Sequence, residues 1–374
     1  GLPLHHELSK VSPDNPVMLS HASGHSCMAN AKAMELAGIT GKTADPEGGE
    51  IVKDADGSPA GVFRETAQGL LRAQRGTYEA QRTAEDIAAE EMKAVELAEQ
   101  ECLMKGVTSF HDAGVSFGTI EMYKRLVQEK KLKIRLNAMV RERNEQLKEK
   151  LDQYKIIGMG DHHLTVRTIK RLIDGALGSH GAWLLEPYKS LPTSVGLNTE
   201  PVAAMKETAA IAIDKGFQLS THAIGDRGNR ETLDIYEEAF KQHPDKKDLR
   251  WRIEHSQHLH LDDISRFGKS GIIASMQPIH CTSDGPWVIK RLGTKRAKDG
   301  AYVWQKLMKS GAVICSGTDV PVEDIDPIAC FYAAVTRKGM QGHQLGTREA
   351  ITVTEMLRTM TINGAYMTEE DHLK

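Results

Sequence analysis

The segment DKGFQLSTHAIGD, residues 214–226, combines the signals that decide the fold of this chain. Its Lys-Gly pair suits a helix end, because glycine adopts the left-handed position after the last turn and lysine favours the helix C-terminus. The apolar run that follows lacks strict alternation, which predicts a strand covered on both faces, as in a parallel sheet. His222 stands where this run gives way to polar residues. The segment therefore predicts a helix, a tight stop, a buried strand and a polar strand end.

Three further segments repeat this order: MKGVTSFHDAG at 104–114, KSGIIASMQP at 269–278 and KSGAVICSGTD at 309–319. Together with the other apolar runs they predict strands at residues 107–111, 133–140, 165–173, 217–222, 251–256, 272–277 and 312–317. Strands that alternate with helices over this length indicate a TIM-type α/β barrel, with its chemistry at the carboxyl ends of the strands. A doubly wound open sheet is the second interpretation, but no glycine-rich phosphate loop follows any predicted strand.

Two helix starts are also predicted. Thr83 suits the N-cap of a helix that runs to about Lys105, and Thr352 with Glu355 forms a capping-box pattern. Residues 1–80 differ from the rest, because they are rich in Gly, Pro and Asp and indicate a loop-rich insertion.

The composition excludes several classes of partner. The 374 residues include 48 basic and 51 acidic side chains, a formal net charge of −3 that gives no electrostatic case for nucleic acid or an anionic membrane. No apolar run reaches the roughly 18 residues of a membrane span. The five scattered cysteines form no CxxC pattern and favour a reducing compartment, hence a cytoplasmic location. A small-molecule substrate is expected, and a homodimer is left open.

Four residues at predicted strand ends indicate a metal site: Lys170, His222, His255 and Asp319. Imidazole, carboxylate and a modifiable lysine are ligands that suit zinc and similar divalent ions. His222 and His255 are 33 residues apart, close to one strand-helix step. Taken singly, each is more readily a surface or capping residue. The matching positions in successive units favour one convergent site, whereas a phosphate-binding barrel would need a glycine-rich cradle in place of Asp319.

These segments and several others resemble the amidohydrolase superfamily, and within it the YtcJ-like branch that includes N-substituted formamide deformylases. The resemblance extends over most of the chain in order: 15–39, PEGGEI at 46–51, GSPAGVFRETA at 57–67, 106–114, IKRLIDGALGS at 169–179, THAIGDR at 221–227, RIEHSQ at 252–257, MQPIHCTSD at 276–284, SGTDVPVE at 316–323 and 352–367. It implies a metal-dependent hydrolase of C–N bonds in small amides, with one or two divalent ions, zinc first among them.

The resemblance also implies a role for each candidate ligand. Lys170 matches a lysine that is typically carboxylated and bridges two metal ions. His222 and His255 match the ligands on barrel strands five and six. Asp319 matches the aspartate of strand eight, which touches metal and serves as general base.

Two departures from the family pattern bear on activity. The His-x-His pair that ends the first barrel strand is absent, and so is the small β-sandwich that relatives build from both termini. We therefore expect strands 2–8 of the barrel in residues 81–374, with residues 1–80 inserted between strands 1 and 2, and with strand 1 missing. The alternative function is a catalytically silent fragment or binding protein with the barrel fold.

Four further residues are candidate substrate contacts: His25, Arg227, His280 and Trp183. Arg227 is as readily a partner of Asp226, and an aromatic residue such as Trp183 more often serves packing. His180 stands where relatives usually have arginine, which bears on substrate choice.

Overall fold

Parallel strands in sequence order form the larger of the two sheets in the computed structural model, which describes residues 4–21, 24–80, 82–339 and 342–373. Their order across the sheet is β5-β6-β8-β9-β10-β11-β12, and the short β7 pairs antiparallel with β8. The bounds are β5 Ser109–Val115, β6 Arg135–Val140, β7 Ile156–Gly158, β8 Leu164–Leu172, β9 Gln218–Ala223, β10 Arg252–His255, β11 Ile273–Met276 and β12 Ile314–Ser316. Each predicted strand is confirmed, with ends that shift by a few residues.

The smaller sheet lies within residues 18–65 and is antiparallel, in the order β1-β2-β4-β3. Its strands are β1 Met18–Ser20, β2 Ser26–Ala29, β3 Gly49–Lys53 and β4 Pro59–Glu65, and three helices accompany it, α1 His6–Val11, α2 Ala31–Leu36 and α3 Gln68–Glu79. We call residues 4–80 the lobe. The sequence predicted a loop-rich segment here, whereas Phe63, Ile51 and Ala29 are buried in a core of the lobe's own.

Helices alternate with the parallel strands along the rest of the described chain. They are α4 Ala84–Met104, α5 Phe117–Gln128, α6 Asn144–Lys150, α7 Met159–His162, α8 Val202–Lys215, α9 Asp226–Gln242, α10 Leu261–Ser270, α11 Pro278–Ser283, α12 Gly285–Leu292, α13 Thr294–Gly300, α14 Trp304–Lys309, α15 Pro327–Thr336, α16 Val353–Met360 and α17 Ile362–Met367, with 3-10 turns at Leu151–Tyr154 and Thr347–Glu349.

The predicted helix signals act as expected. Thr83 Oγ1 accepts the Asp86 N–H at 3.1 Å, and Thr352 forms a capping box with Glu355. Gly216 and Gly271 adopt positive φ angles of 65° and 67° directly after α8 and α10, conformations that glycine adopts without the steric cost of a side chain.

The central strands are covered on both faces, as the apolar runs predicted. Every residue of β9, β10 and β11 is buried, and the strands contribute to one continuous hydrophobic core. The architecture is that of an α/β TIM-like barrel. The barrel strand expected before β5 stays a prediction, because among the described residues the sheet ends at β5 on one side and β12 on the other.

The interior of the barrel also holds charge. Arg252 is fully buried in β10, and its Nε donates to Glu254 Oε1 at 2.7 Å, which also accepts from Ser220 Oγ at 2.7 Å. Burial alone would raise the pKa of Glu254, but Arg252 and Lys170 outweigh it and lower that pKa to about 2. Each charge of such a buried pair needs the other as its partner, because a buried charge without a compensating charge is strongly destabilising.

No described helix combines the length and the apolar surface that crossing a bilayer requires. All five cysteines are buried and carry free thiols in the described chain.

Close packing of α10 against the turn before β12 can be tested with two glycines. A Cβ on Gly268 would lie 1.9 Å from the Ser310 carbonyl oxygen, whereas a Cβ on Gly364 meets no described atom within 4 Å. We expect Gly268→Ala to lower the free energy of unfolding by about 1–3 kcal/mol through overpacking. Gly364→Ala should raise it by about 0.4–1 kcal/mol, because it restricts the unfolded chain. Urea denaturation measures both, and equal effects would contradict the packing of α10.

Candidate metal centre and active site

The candidate ligands converge at the carboxyl ends of neighbouring strands. Lys170 lies in β8, His222 in β9 and His255 at the end of β10, while Asp319 follows β12 by three residues. Strand register aligns Leu172 with His222. Parallel pairing therefore brings to one edge of the sheet side chains that are far apart in sequence.

The two strand-end histidines are in contact. The rings of His222 and His255 are 4.5 Å apart in an edge-to-face arrangement. His255, His280 and Asp319 each offer one potential ligand atom, and these three atoms lie within 4.8 Å of one another. The site is thus a group of two buried imidazoles and one half-buried carboxylate, with nitrogen and oxygen donors of the kind that divalent ions bind.

His222 has a nitrogen without a hydrogen-bond partner. Its Nε2 is buried and makes no hydrogen bond to any described residue, although Asp174 Oδ1 lies 3.4 Å away. Burial, reinforced by the charges of His255 and His25, lowers the pKa of His222 well below its usual value. The ring is therefore neutral at neutral pH, and a buried nitrogen left unsatisfied in this way fits a bound metal ion.

His255 is held by a residue that sequence reasoning missed. Its Nδ1 lies 2.7 Å from Gln277 Oε1, an atom that only accepts, so Nδ1 carries the hydrogen and Nε2 is left as a donor atom for metal. Burial is the chief reason that the pKa of His255 falls to about 4. Gln277 directly follows β11. Its position at the end of a predicted strand was the feature of the sequence that could have identified it.

Lys170 is buried beside charged neighbours. Burial lowers its pKa to about 8, with Glu254 opposing this shift and Arg141 adding to it. Its Nζ donates to the Arg171 carbonyl oxygen at 3.2 Å. A buried lysine amine with a lowered pKa is neutral more often than an exposed one, and the neutral amine is the form that reacts.

Asp319 and His280 form a pair. His280 Nε2 lies 3.1 Å from Asp319 Oδ2, and His280 Nδ1 lies 3.3 Å from Glu323 Oε1. Burial opposes the charge on His280, but the two carboxylates outweigh it and raise its pKa to about 10. Burial would likewise raise the pKa of Asp319, yet the hydrogen bond to His280 keeps it below its usual value. His280, predicted as a substrate contact, is thus placed against the predicted base.

A cavity of about 180 Å³ opens beside these residues. Its lining includes His222, His255, His280 and Asp319, and beyond them His25, Leu177, Gln257, Asp284, Trp287 and Val322. Gln257 Nε2 donates to Asp284 Oδ2 at 3.0 Å, so this wall of the cavity is braced.

Arg227 and Trp183 are not among the described residues that line this cavity. The Arg227 guanidinium stacks 5.2 Å over the Trp183 ring, and its Nε donates to Glu231 at 2.9 Å rather than pairing with Asp226. The two side chains contact each other outside the cavity. Their predicted contact with substrate therefore has no support from the residues that line the cavity. His180 Nε2 lies 3.1 Å from Ser190 Oγ, away from the candidate ligands.

Asp174 is the second residue that sequence reasoning missed. It is fully buried and accepts backbone N–H groups from Trp183 at 2.9 Å, Ile224 at 3.0 Å and Gly225 at 2.8 Å. These bonds tie the loop after β8 to the loop after β9. A buried aspartate four residues beyond Lys170, in the same IKRLIDG segment, was the only sign of it in the sequence.

Comparison with known proteins identifies the family. Residues 1–374 match the sequence model described as the amidohydrolase family. The chain belongs to the amidohydrolase family. YtcJ of Bacillus subtilis, named as an amidohydrolase, is 31% identical over 372 residues, and N-substituted formamide deformylase of Arthrobacter pascens is 27% identical over 371 residues. These alignments cover 96% and 97% of this chain, which spans 66% of the length of each relative.

The solved crystal structure of another protein has the same fold as this chain. An uncharacterised metal-dependent hydrolase from Pyrococcus horikoshii is 25% identical, with a TM-score of 0.74 over 99% of this chain and 70% of that one. This chain therefore shares its fold with a metal-dependent hydrolase. Membership of the YtcJ-like branch, expected from the sequence motifs, is confirmed.

The role of Asp174 as a link between two loops can be tested by Asp174→Asn. An amide offers one accepting oxygen, and its NH2 group would face backbone N–H donors. We expect the free energy of unfolding to fall by about 1–3 kcal/mol, the usual range for unsatisfied buried polar groups. Asp245→Asn, at an exposed position, is the matched control. If the two variants show the same urea denaturation midpoint, Asp174 does not hold the loops together.

Proposed function

We propose that this chain carries the active site of a metal-dependent amidohydrolase that hydrolyses the C–N bond of a small amide or formamide. The single observation that carries the proposal is the pair of buried, neutral histidines, His222 and His255, one of which has an unsatisfied buried nitrogen. Membership of the amidohydrolase family supports the reaction class.

Lys170, His222, His255 and Asp319 are the residues that would hold the ion, with zinc as the first candidate and one or two ions per chain. Lys170, His222 and His255 are buried. Together with the Asp319 carboxylate, the four residues offer the nitrogen and oxygen donors that zinc prefers. A bound divalent ion polarises a carbonyl group and lowers the pKa of water from 15.7 to about 7.

Asp319 is the proposed general base. It would take a proton from the attacking water and pass it to the amine nitrogen as the C–N bond breaks, while the carbonyl carbon gains the hydroxyl group. His280 holds the Asp319 carboxylate at 3.1 Å and keeps it ionised, the form that accepts a proton.

Lys170 is the proposed site of a carbamate. Its neutral amine would add to carbon dioxide and lose a proton, and the product offers two oxygens where an ammonium would repel cations. The burial that lowers the pKa of Lys170 to about 8 favours this reaction.

The proposed substrate is small. A relative is named N-substituted formamide deformylase, and the cavity of about 180 Å³ admits a compact molecule with an apolar group against Leu177, Trp287 and Val322. The lining residue His25 and the more distant Arg227 and Trp183 stay predicted substrate contacts. A cytoplasmic location and a homodimer likewise stay predictions.

Elemental analysis of the purified chain tests the metal site directly. We expect one or two divalent ions per chain, lost in His255→Ala because a buried ligand is removed, and retained in His243→Ala, outside the site. A native chain without metal would contradict the proposed hydrolase and favour the silent barrel protein. Hydrolysis of a panel of N-substituted formamides, with and without a chelator, then tests the reaction.

The carbamate is tested separately with 13C-labelled bicarbonate. We expect a carbamate carbonyl resonance in the native chain and in Lys42→Ala, an exposed position, and its loss in Lys170→Ala. A native spectrum without this resonance would assign Lys170 a role as an unmodified amine.

A further inference from the structure

The cavity beside the candidate metal ligands is partly apolar. Its apolar lining is supplied by Ala176, Leu177, Gly178, Ile224, Trp287 and Val322. Trp287 is the largest of these side chains, and it is the one that comes from α12. An aromatic wall beside convergent polar groups is the usual composition of a site that binds a small molecule, because apolar surface supplies affinity and polar groups set orientation.

The start of α12, where Trp287 lies, is anchored to the rest of the barrel. Val288, the next residue, is fully buried in the hydrophobic core. The Asp284 carbonyl oxygen accepts the Trp287 backbone N–H at 2.9 Å. The Asp284 carboxylate accepts hydrogen bonds from Gln257 Nε2 and Tyr302 Oη, each at 3.0 Å. The backbone that carries the indole ring is therefore held in place.

Arg291, one helical turn after Trp287, connects α12 to the loop after β8. Its Nη2 donates to Gly178 O at 2.9 Å, and its Nη1 donates to Ser190 Oγ at 3.1 Å. Its own carbonyl oxygen accepts the Lys189 N–H at 2.8 Å. The guanidinium also lies 5.9 Å over the Trp287 ring, since residues four apart share one face of a helix. One side chain thus contacts both the loop and the indole.

The indole approaches this loop closely at Gly178. A Cβ on Gly178 would lie 3.3 Å from Trp287 Cη2 and 3.4 Å from Trp287 Cζ2. The backbone of Gly178 does not have a positive φ, so its conformation by itself does not call for glycine. The small size of this residue therefore serves the approach of the Trp287 ring.

The proposed mechanism determines which part of the substrate reaches Trp287. Asp319 passes a proton to the amine nitrogen, so this nitrogen must lie within hydrogen-bond reach of the Asp319 carboxylate. Val322 lies beside Asp319, because its N–H donates to the Asp319 carbonyl oxygen at 2.8 Å, and its side chain lines the cavity together with Trp287. A group carried by the nitrogen therefore extends along Val322 towards the indole.

We propose that Trp287 is the specificity-determining residue for an apolar substituent on the amide nitrogen, and that Arg291 is its positioning residue. This inference rests on the proposed function for the bond that is broken, and it names the side of that bond that the chain recognises. The start of α12 and the loop after β8 thereby form one specificity element.

The test measures the Kd of the purified full chain for a series of methanesulfonamides, from N-methyl to N-butyl, by NMR titration. These probes carry a substituted nitrogen as an amide does but resist hydrolysis, so no turnover is needed. We expect each added methylene to lower the Kd of the native chain about 4-fold, the effect of burying one CH2 group. In Trp287→Ala the decrease should be about 2-fold or less per methylene, because the alkyl chain loses one apolar wall. Ile289→Ala, at an exposed position of the same helix, is the matched control and should keep the native dependence.

Two further variants separate positioning from contact with the ring. Arg291→Ala keeps the indole but removes the side chain that holds it, so the dependence on chain length should weaken and added guanidinium ion should restore it. Trp287→Ala should show no such rescue. Gly178→Val fills the space between the loop and the indole, and should weaken binding of the N-butyl probe while the N-methyl probe binds as before. Native dependence in Trp287→Ala, or an equal loss in Ile289→Ala, would overturn the proposal, and a failed rescue of Arg291→Ala would overturn the role of Arg291.

Failure of this inference can be told apart from failure of the proposed function. Turnover of N-butylformamide and metal content test the function, and the sulfonamide series requires neither. A native chain that hydrolyses N-butylformamide, but whose Kd does not depend on chain length, keeps the function and overturns the role of Trp287. A chain without turnover that shows the Trp287-dependent series supports the binding role of Trp287 and counts against the hydrolase. A native chain that binds none of the probes overturns the inference.

Discussion

Parallel pairing of consecutive strands, buried on both faces, is the constraint on which the rest of this structure depends. Strands β9, β10 and β11 have no exposed residue, so their backbone groups must pair with one another and polar side chains need partners wherever they occur. Apart from the short β7, the strands of the larger sheet run the same way, and their carboxyl ends therefore meet at one edge. Ala223 pairs with His255 in register, which places the neighbouring His222 against His255 although 33 residues separate them.

Burial then determines the chemistry of that edge. The low dielectric lowers the pKa of His255 to about 4, so this ring is neutral and a nitrogen lone pair is available. It lowers the pKa of Lys170 to about 8, so most of the amine stays protonated at neutral pH but the neutral fraction is larger than in an exposed lysine. The same burial would be costly for the charges that remain. Glu254 stays ionised because Arg252 and Lys170 surround it, and Asp319 because His280 does.

The loop after β8 joins the lobe to the barrel. Asp174 links it to the loop after β9 through the backbone N–H groups of Ile224 and Gly225, and its glycines, Gly175 and Gly181, receive Glu65 from the lobe. One short segment thereby contacts the barrel on one side and the lobe on the other. The absence of a Cβ at both glycines matters because Glu65 Oε1 occupies the space where each would stand.

The sequence by itself determined the strand order and the polar strand ends. Local signals were sufficient for these, because a left-handed glycine at 216 or 271 and an unbroken apolar run depend on neighbouring residues alone. The positions of Lys170, His222, His255 and Asp319 were predictable for the same reason, as each closes such a run.

Only the tertiary structure decided which side chains surround the candidate site residues. Gln277 against His255, Asp174 beside His222 and Glu65 behind His25 join residues 22, 48 and 40 positions apart, and no local pattern specifies such contacts. The contact of the Arg227 guanidinium with the Trp183 ring is another that only the tertiary structure shows, because the two residues are 44 positions apart. A sequence pattern shows the periodicity of one segment. The direction of a side chain depends in addition on how separate segments pack, and this packing forms only when the barrel and the lobe fold against each other.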